Sequence, residues 1–263
     1  MLSSVLHAQE FQGKAVYQTK MTMDDAFKKR IDSSKMTDER KVFMMKMIKK
    51  RMEKVYELDF NKSQSIYKEQ KILEAPSENA RFNRSANDVL FKNLKIKKIV
   101  NKKETFGKVF LIKDNMSGFE WKLENESKMI GKHLCLKATT KKVLKKSNRF
   151  RRFSKKENDS TKTPKKTEII AWYTPEIPVS NGPADYDGLP GLILQVDAGN
   201  YQILCTKIVL NPKDKVVIEP ATKGKEISQK EYDEIVEKKV EEMRERYKNN
   251  RKKGGSGRRH GRF

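Results

Sequence analysis

The chain has 263 residues, 36% of them charged and 36% hydrophobic, with a formal net charge of +24. That apolar share supports a core of moderate size beside solvated polar segments, and no apolar run reaches the length of a membrane-spanning helix. Two cysteines, Cys135 and Cys205, and three scattered histidines, His7, His133 and His260, do not make a zinc pattern, so no metal and no cofactor is expected.

Residues 1–9 are apolar with small residues and end in Ala8-Gln9. They have the character of the last part of a secretory signal peptide without its charged start, with cleavage near Ala8 or Gln9. A first strand is expected over 11–23, where Phe11, Ala15, Tyr17, Met21 and Met23 interrupt polar residues. A helix is expected over 37–52. Thr37 is its N-cap, Asp38 and Glu39 suit its first turn, and its methionines form a packing face. Residues 54–60 return to period two, with Tyr56, Leu58 and Phe60 on one face, and a turn at 61–64 leads to a partner strand over 65–73. Residues 75–90 are polar and are expected as a loop. Strands follow at 91–100, 106–113, 118–124 and 129–139, with turn signals at Asp114-Asn115 and Asn125-Glu126.

Residues 141–167 form a basic insertion in which Phe150 and Phe153 interleave arginines. A solvated loop is the preferred reading over a folded binding site. The strand 168–174 has Ile170 and Trp172 on one face and Ile169, Ala171 and Tyr173 on the other, so it belongs in the centre of a sheet. Pro175, Pro178 and Pro183 then end ladder pairing. Asp187-Gly188 and Pro190-Gly191 are two consecutive turn signals. The second predicts a type II turn with Gly191 at positive φ, and leaves Leu189 buried between bends. Leu192, Ile193, Leu194, Gln195 and Val196 begin a strand. With Ala198-Gly199 as a two-residue loop, Val196 faces Tyr201, Leu194 faces Ile203 and Leu192 faces Cys205, all apolar and on one face. Cys135 instead shares a face with His133 and Lys137, opposite Leu134, Leu136 and Ala138. That argues for two separate thiols, although an oxidising compartment would permit a bridge. Ser228, Gln229, Lys230 and Glu231 form a capping box, and Tyr232, Ile235, Val236, Val240, Met243 and Tyr247 continue at helical spacing. Residues 248–263 hold seven lysines and arginines and no acid, and are expected as a disordered tail.

These elements give an α+β fold: a mainly antiparallel curled β-sheet or half-barrel of about ten strands, with two helices and a disordered basic C-terminal tail. The domain plan is a signal-peptide remnant at 1–9, one β-rich domain over 10–225 carrying the insertion at 141–167, an amphipathic helix at 226–247, and the tail at 248–263.

The stretch Gly188, Leu189, Pro190, Gly191, Leu192, Ile193, preceded by Ala171-Trp172-Tyr173-Thr174-Pro175-Glu176-Ile177-Pro178 and Asn181-Gly182-Pro183, resembles the GLPGLI family. The blocks Trp121-Lys122-Leu123 and Cys135-Leu136-Lys137-Ala138-Thr139-Thr140, and the opening from Glu10 to Ala15, fit the same pattern, so the likeness spans most of residues 10–210. The insertion at 141–167 departs from it. The family consists of exported envelope proteins of Bacteroidota-type bacteria with no established activity. The resemblance implies export, a periplasmic or outer-membrane location, and an accessory role beside an outer-membrane or transport protein.

The acids near the bend are Glu176, Asp185, Asp187 and Asp197. Asp187 and Asp197 are explained as turn formers, and no nucleophile elbow, phosphate loop or metal-ligand helix appears. No enzymatic activity is therefore expected, and the preferred reading is a non-enzymatic binding or accessory module. The alternatives are a polyanion binder, for nucleic acid or anionic membrane, working through the insertion and tail, and a hydrolase with Trp172 and Asp187 lining a pocket beside the bend.

Overall fold

The structure, a computed structural model, describes residues 11–21, 29, 31–34, 36–70, 87–143 and 166–255. The leader-like residues 1–9, the polar stretch 71–86, most of the basic insertion (144–165) and residues 256–263 lie outside the described residues. The elements in chain order are β1 (Gln12–Met21), α1 (Asp38–Met52), β2 (Val55–Asn61), β3 (Gln64–Glu69), β4 (Val89–Asn93), β5 (Lys98–Thr105), β6 (Lys108–Asn115) and β7 (Lys122–Ile130). They continue with β8 (His133–Val143), β9 (Lys166–Thr174), β10 (Leu192–Ala198), β11 (Tyr201–Leu210), β12 (Lys225–Ile227) and α2 (Gln229–Gly255). The strands form one curled twelve-stranded sheet in the order β12-β6-β5-β4-β3-β2-β1-β11-β10-β9-β8-β7. It is open, with β12 and β7 as its edges. Every neighbouring pair is antiparallel except β12 with β6.

Most strands form where side chains alternate, and three details correct the sequence reading. The run expected as one strand over 91–100 is two strands joined by a turn at 94–97. The turn expected at Asn125-Glu126 lies inside β7, where the register with β8 slips between Leu123 and Ser127, and the chain reverses after Ile130 instead. Local turn chemistry is used there as a bulge, which bends the strand locally. In the β10–β11 hairpin the loop is Gly199-Asn200, so Val196 pairs with Ile203 and Ala198 with Tyr201. Gly199 supplies φ +67 at the first loop position, as a type II′ turn requires. The offset of two residues preserves parity, so Val196 and Ile203 share the buried face, and Leu192, Leu194 and Cys205 lie in the same cluster although β10 is irregular between Ile193 and Gln195.

One face of the sheet, called inner here, holds Ala15, Tyr17, Leu58, Phe60, Ala171, Val196 and Ile203 in the main core. A smaller cluster of Phe110, Ile112 and Ile227 is covered by Tyr232 and Ile235 of α2. Cys135 is buried although its strand face carries polar neighbours, because the chain leaving β9 crosses the start of β8, where Glu176 accepts a bond from the Leu134 amide. Both cysteines are free thiols. Helix α1 begins after Thr37, whose carbonyl accepts the Lys41 amide at 3.0 Å, as an N-cap does. Its methionine-rich surface packs only in part: Met44, Met45 and Ile48 are half-buried, whereas Val42, Phe43 and Met47 are exposed.

The capping box of α2 is present. Glu231 donates its amide to Ser228 Oγ at 3.2 Å, and Ser228 donates its amide to Glu231 Oε2 at 2.7 Å. Ser228→Ala should therefore cost about 1 kcal/mol of helix stability, read as a lower melting temperature and lower far-ultraviolet helix signal. An unchanged melt would show that Ser228 is not the cap. The helix does not stop at 247 but runs to Gly255. The sequence from Tyr247 to Lys253 contains no helix breaker before Gly254.

Candidate functional site

The bend between β9 and β10 is the candidate site. Its seventeen residues, 175–191, leave the end of the sheet and fold back over the inner face, where Ile177, Val179, Tyr186 and Leu189 are buried in the main core. Prolines set the path. The Val179 amide donates to the Ile177 carbonyl at 2.8 Å across Pro178, and the Gly191 amide donates to the Leu189 carbonyl at 2.8 Å across Pro190. Both are three-residue turns suited to the fixed φ of proline. Two further bonds close the bend on itself, Leu192 amide to Ile177 carbonyl at 3.0 Å and Ile193 amide to Asn181 carbonyl at 2.9 Å.

The glycines act differently from the sequence expectation. Gly191 is not at positive φ; Gly188 is, at +90°. Gly191 is required by proximity, because an added Cβ would lie 2.2 Å from the Thr174 carbonyl oxygen. The predicted type II turn is therefore replaced by a γ-turn whose next residue must let β9 approach.

Three side chains clamp the bend and the start of β10: Tyr17 and Lys92 from the sheet, and Trp121 just before β7. Tyr17 Oη donates to the Ile193 carbonyl at 2.8 Å. Trp121 Nε1 donates to the Asp187 carbonyl at 2.8 Å. Lys92, fully buried on the inner face of β4, donates from Nζ to the carbonyls of Gly182 at 2.8 Å and Tyr186 at 3.2 Å. Burial pushes the Lys92 ammonium down to about 8, against the pull of Asp187 and Asp185. Burial also raises the Asp187 carboxyl, opposed by Lys92 and Lys97. No local motif singles out Lys92. The available signal was parity alone: in Val89-Leu90-Phe91-Lys92 the lysine shares a face with Leu90.

Pro175, Glu176, Pro178, Ser180, Asp185, Gly188 and Pro190 are exposed, and an aromatic rim borders the bend at Asp185 and Gly188. Trp121 stacks on Phe119 at 5.3 Å, Phe119 meets Tyr186 at 5.3 Å, and Lys142 Nζ sits 4.0 Å above the Phe119 ring. Exposed Asp185 lies 3.9 Å from Lys142, and exposed Gly188 borders Trp121.

Trp172 and Asp187 are not brought together. Trp172 is paired with Lys137 and Gln195 on the outer face, under Lys128 Nζ at 4.1 Å, whereas Asp187 lies at the inner face near Lys92. Asp197 accepts from Gln195 at 2.7 Å and Gln202 at 2.6 Å. Glu176 contacts His133 Nδ1 at 2.6 Å, and that bond, then the Leu134 amide, holds its carboxyl below the usual range. The neighbouring Cys135 thiol is pushed up to about 11, chiefly by burial, and Cys205 to about 12 for the same reason. A thiol so shifted stays protonated near neutrality and is a poor nucleophile. Among the described residues no three His, Cys, Asp or Glu side chains are grouped to hold a metal ion.

The chain is similar to the structure of PNGF-II in the C2 space group, with 15% identity and a TM-score of 0.51, over 86% of this chain and 32% of that one. The P21 form of PNGF-II gives 13% identity and a TM-score of 0.49, with the same coverage. At this identity the likeness is one of fold, and the chain spans about a third of the PNGF-II chain. No curated protein matches. Residues 121–195, from the Trp121 clamp through the bend and into β10, match a family described as protein of unknown function (Porph_ging), a match compatible with the GLPGLI resemblance.

Proposed function

We propose that the protein is a non-enzymatic, exported binding module of the cell envelope, and that it docks an outer-membrane or transport protein along the β7 edge of the sheet. The observation that carries this reading is the edge itself. Strand β7 spans nine residues, pairs among the described residues only with β8, and exposes Leu123 (57%) and Met129 (59%). A partner strand added there gains main-chain hydrogen bonds, with the exposed side chains supplying selectivity. The bend supports the same reading: carbonyls of Gly182, Tyr186 and Asp187 are taken up by Lys92 and Trp121 in holding the chain in place, and Trp172 faces away from Asp187.

Fractionation of cells expressing the full-length gene, followed by capture from envelope extracts, tests both parts. The protein should fractionate with the envelope, and a captured partner should be lost with Leu123→Glu plus Met129→Glu at unchanged melting temperature. A cytosolic location, or capture indifferent to the double change, would refute it. The polyanion reading has one observation in its favour. Beyond Glu245, α2 carries Arg246, Lys248, Arg251, Lys252 and Lys253 and no acid. Steep loss of affinity with salt would mark that mode.

A further inference from the structure

We propose that one end of the sheet is a contact surface for an anionic lipid bilayer, separate from the β7 edge and from the basic insertion and tail. The end is a row of strand tips locked together by hydrogen bonds. The Met116 amide donates to the Lys97 carbonyl at 2.8 Å, joining the exit of β6 to the β4–β5 turn. The Leu94 amide donates to the Ser63 carbonyl at 2.8 Å, joining that turn to the β2–β3 turn. Asn61 pairs with Gln12 across β2 and β1. Gln12 in turn accepts the Asn211 amide at 2.8 Å on its carbonyl and the Val216 amide at 3.0 Å on Oε1, fixing the chain that leaves β11.

Two aliphatic side chains project from this row. Ile96 is 64% exposed at the tip of the β4–β5 turn, and Val217 is 69% exposed just after the Val216 anchor. Lysines surround both. Lys95, Lys97 and Lys98 flank Ile96, Lys62 stands on the adjoining turn, and Lys213 and Lys215 precede Val217, all exposed. The carboxylates at this end are Asp114 and Asp214, with Glu219 following Val217, and Lys97 also faces Asp187. The balance is cationic, so the row complements a negative surface.

The tips decide which negative surface. Single-stranded nucleic acid binds through aromatic platforms on which bases stack, and among the described residues of this row no aromatic side chain is exposed. Aliphatic side chains held by rigid turns among lysines suit an anionic bilayer. There the ammonium groups stay at the headgroups while Ile96 and Val217 enter the acyl boundary.

The test is flotation of the full chain with phosphatidylcholine vesicles and with vesicles in which roughly a third of the lipid is phosphatidylglycerol. The chain should float with the anionic vesicles only, and less as salt rises. Ile96→Ser with Val217→Ser, and separately Lys62→Glu with Lys95→Glu, should each lower partitioning by about tenfold at unchanged melting temperature. As a second readout, Ile96→Trp should shift its emission to the blue on anionic vesicles. No flotation, flotation unaffected by either pair of changes, loss only on removal of residues 256–263, no emission shift, or tighter capture by single-stranded nucleic acid would each overturn the proposal.

Discussion

Gly191→Ala should destabilise the protein by about 3 kcal/mol or more, at the upper end of what overpacking costs. The added Cβ would lie 2.2 Å from the Thr174 carbonyl oxygen, 2.7 Å from its carbon and 3.0 Å from Pro175 Cα. All three are backbone atoms, so no side chain can rotate away. Thr174 is also the cross-strand partner of Leu192, so relief requires opening β9 from β10 at the point where the bend enters the core. Against a typical stability of roughly 5–15 kcal/mol, such a loss would leave little folded protein at elevated temperature. The control is Gly188→Ala. Its φ of +90° strains any L-residue, but the nearest atoms to its Cβ are in the Trp121 ring at 3.7 Å. It should cost about 1–2 kcal/mol, the penalty for a left-handed backbone. Urea midpoints of the two variants decide the matter. If Gly188→Ala proves the worse, the close approach of Thr174 is not what fixes glycine at position 191.

The contrast between these glycines shows where sequence reasoning reached and where it stopped. Alternation marked out most of the strands and the capping box placed the start of α2, because both depend on residues adjacent in the chain. The β10–β11 hairpin was recovered only to parity: an apolar pattern of period two cannot distinguish loops displaced by two residues, and the positive φ of Gly199 settles the register. Asn125-Glu126 is turn chemistry that serves equally as a bulge. At the bend, Gly191 carries a long-range steric requirement that a local turn rule assigned to the wrong property. Trp172 and Asp187 looked like neighbours because both flank the motif, but face depends on strand parity and on the path of the bend. Lys92 was out of reach for a related reason: its partners are carbonyls 90 and 94 residues away.

Lys92→Ala should cost about 3–5 kcal/mol, the range for truncating a large buried side chain and orphaning its hydrogen-bond partners. The substitution removes both hydrogen bonds to Gly182 and Tyr186, opens a cavity under the bend, and takes away the cation that most offsets the burial of Asp187. Lys92→Met fills the volume and should cost less, about 2 kcal/mol, because the orphaned carbonyls remain. The pH dependence separates a buried ammonium from a merely bulky side chain. Folding lowers the Lys92 pKa from 10.5 to about 8, so between these values the unfolded chain holds the extra proton. Stability should then rise with pH from about 8 upward. The cysteines oppose this above their ordinary 9.0, because Cys135 and Cys205, raised to about 11 and about 12, keep protons that the unfolded thiols lose. The rise from Lys92 is therefore clearest between pH 8 and 9, with a size of up to about 1 kcal/mol. Wild type should show it and Lys92→Met should not, measured as the difference between their urea midpoints across that interval. Parallel curves for the two proteins would mean that Lys92 holds the same protonation state in the folded and unfolded chains, and that the clamp on the bend is steric rather than ionic.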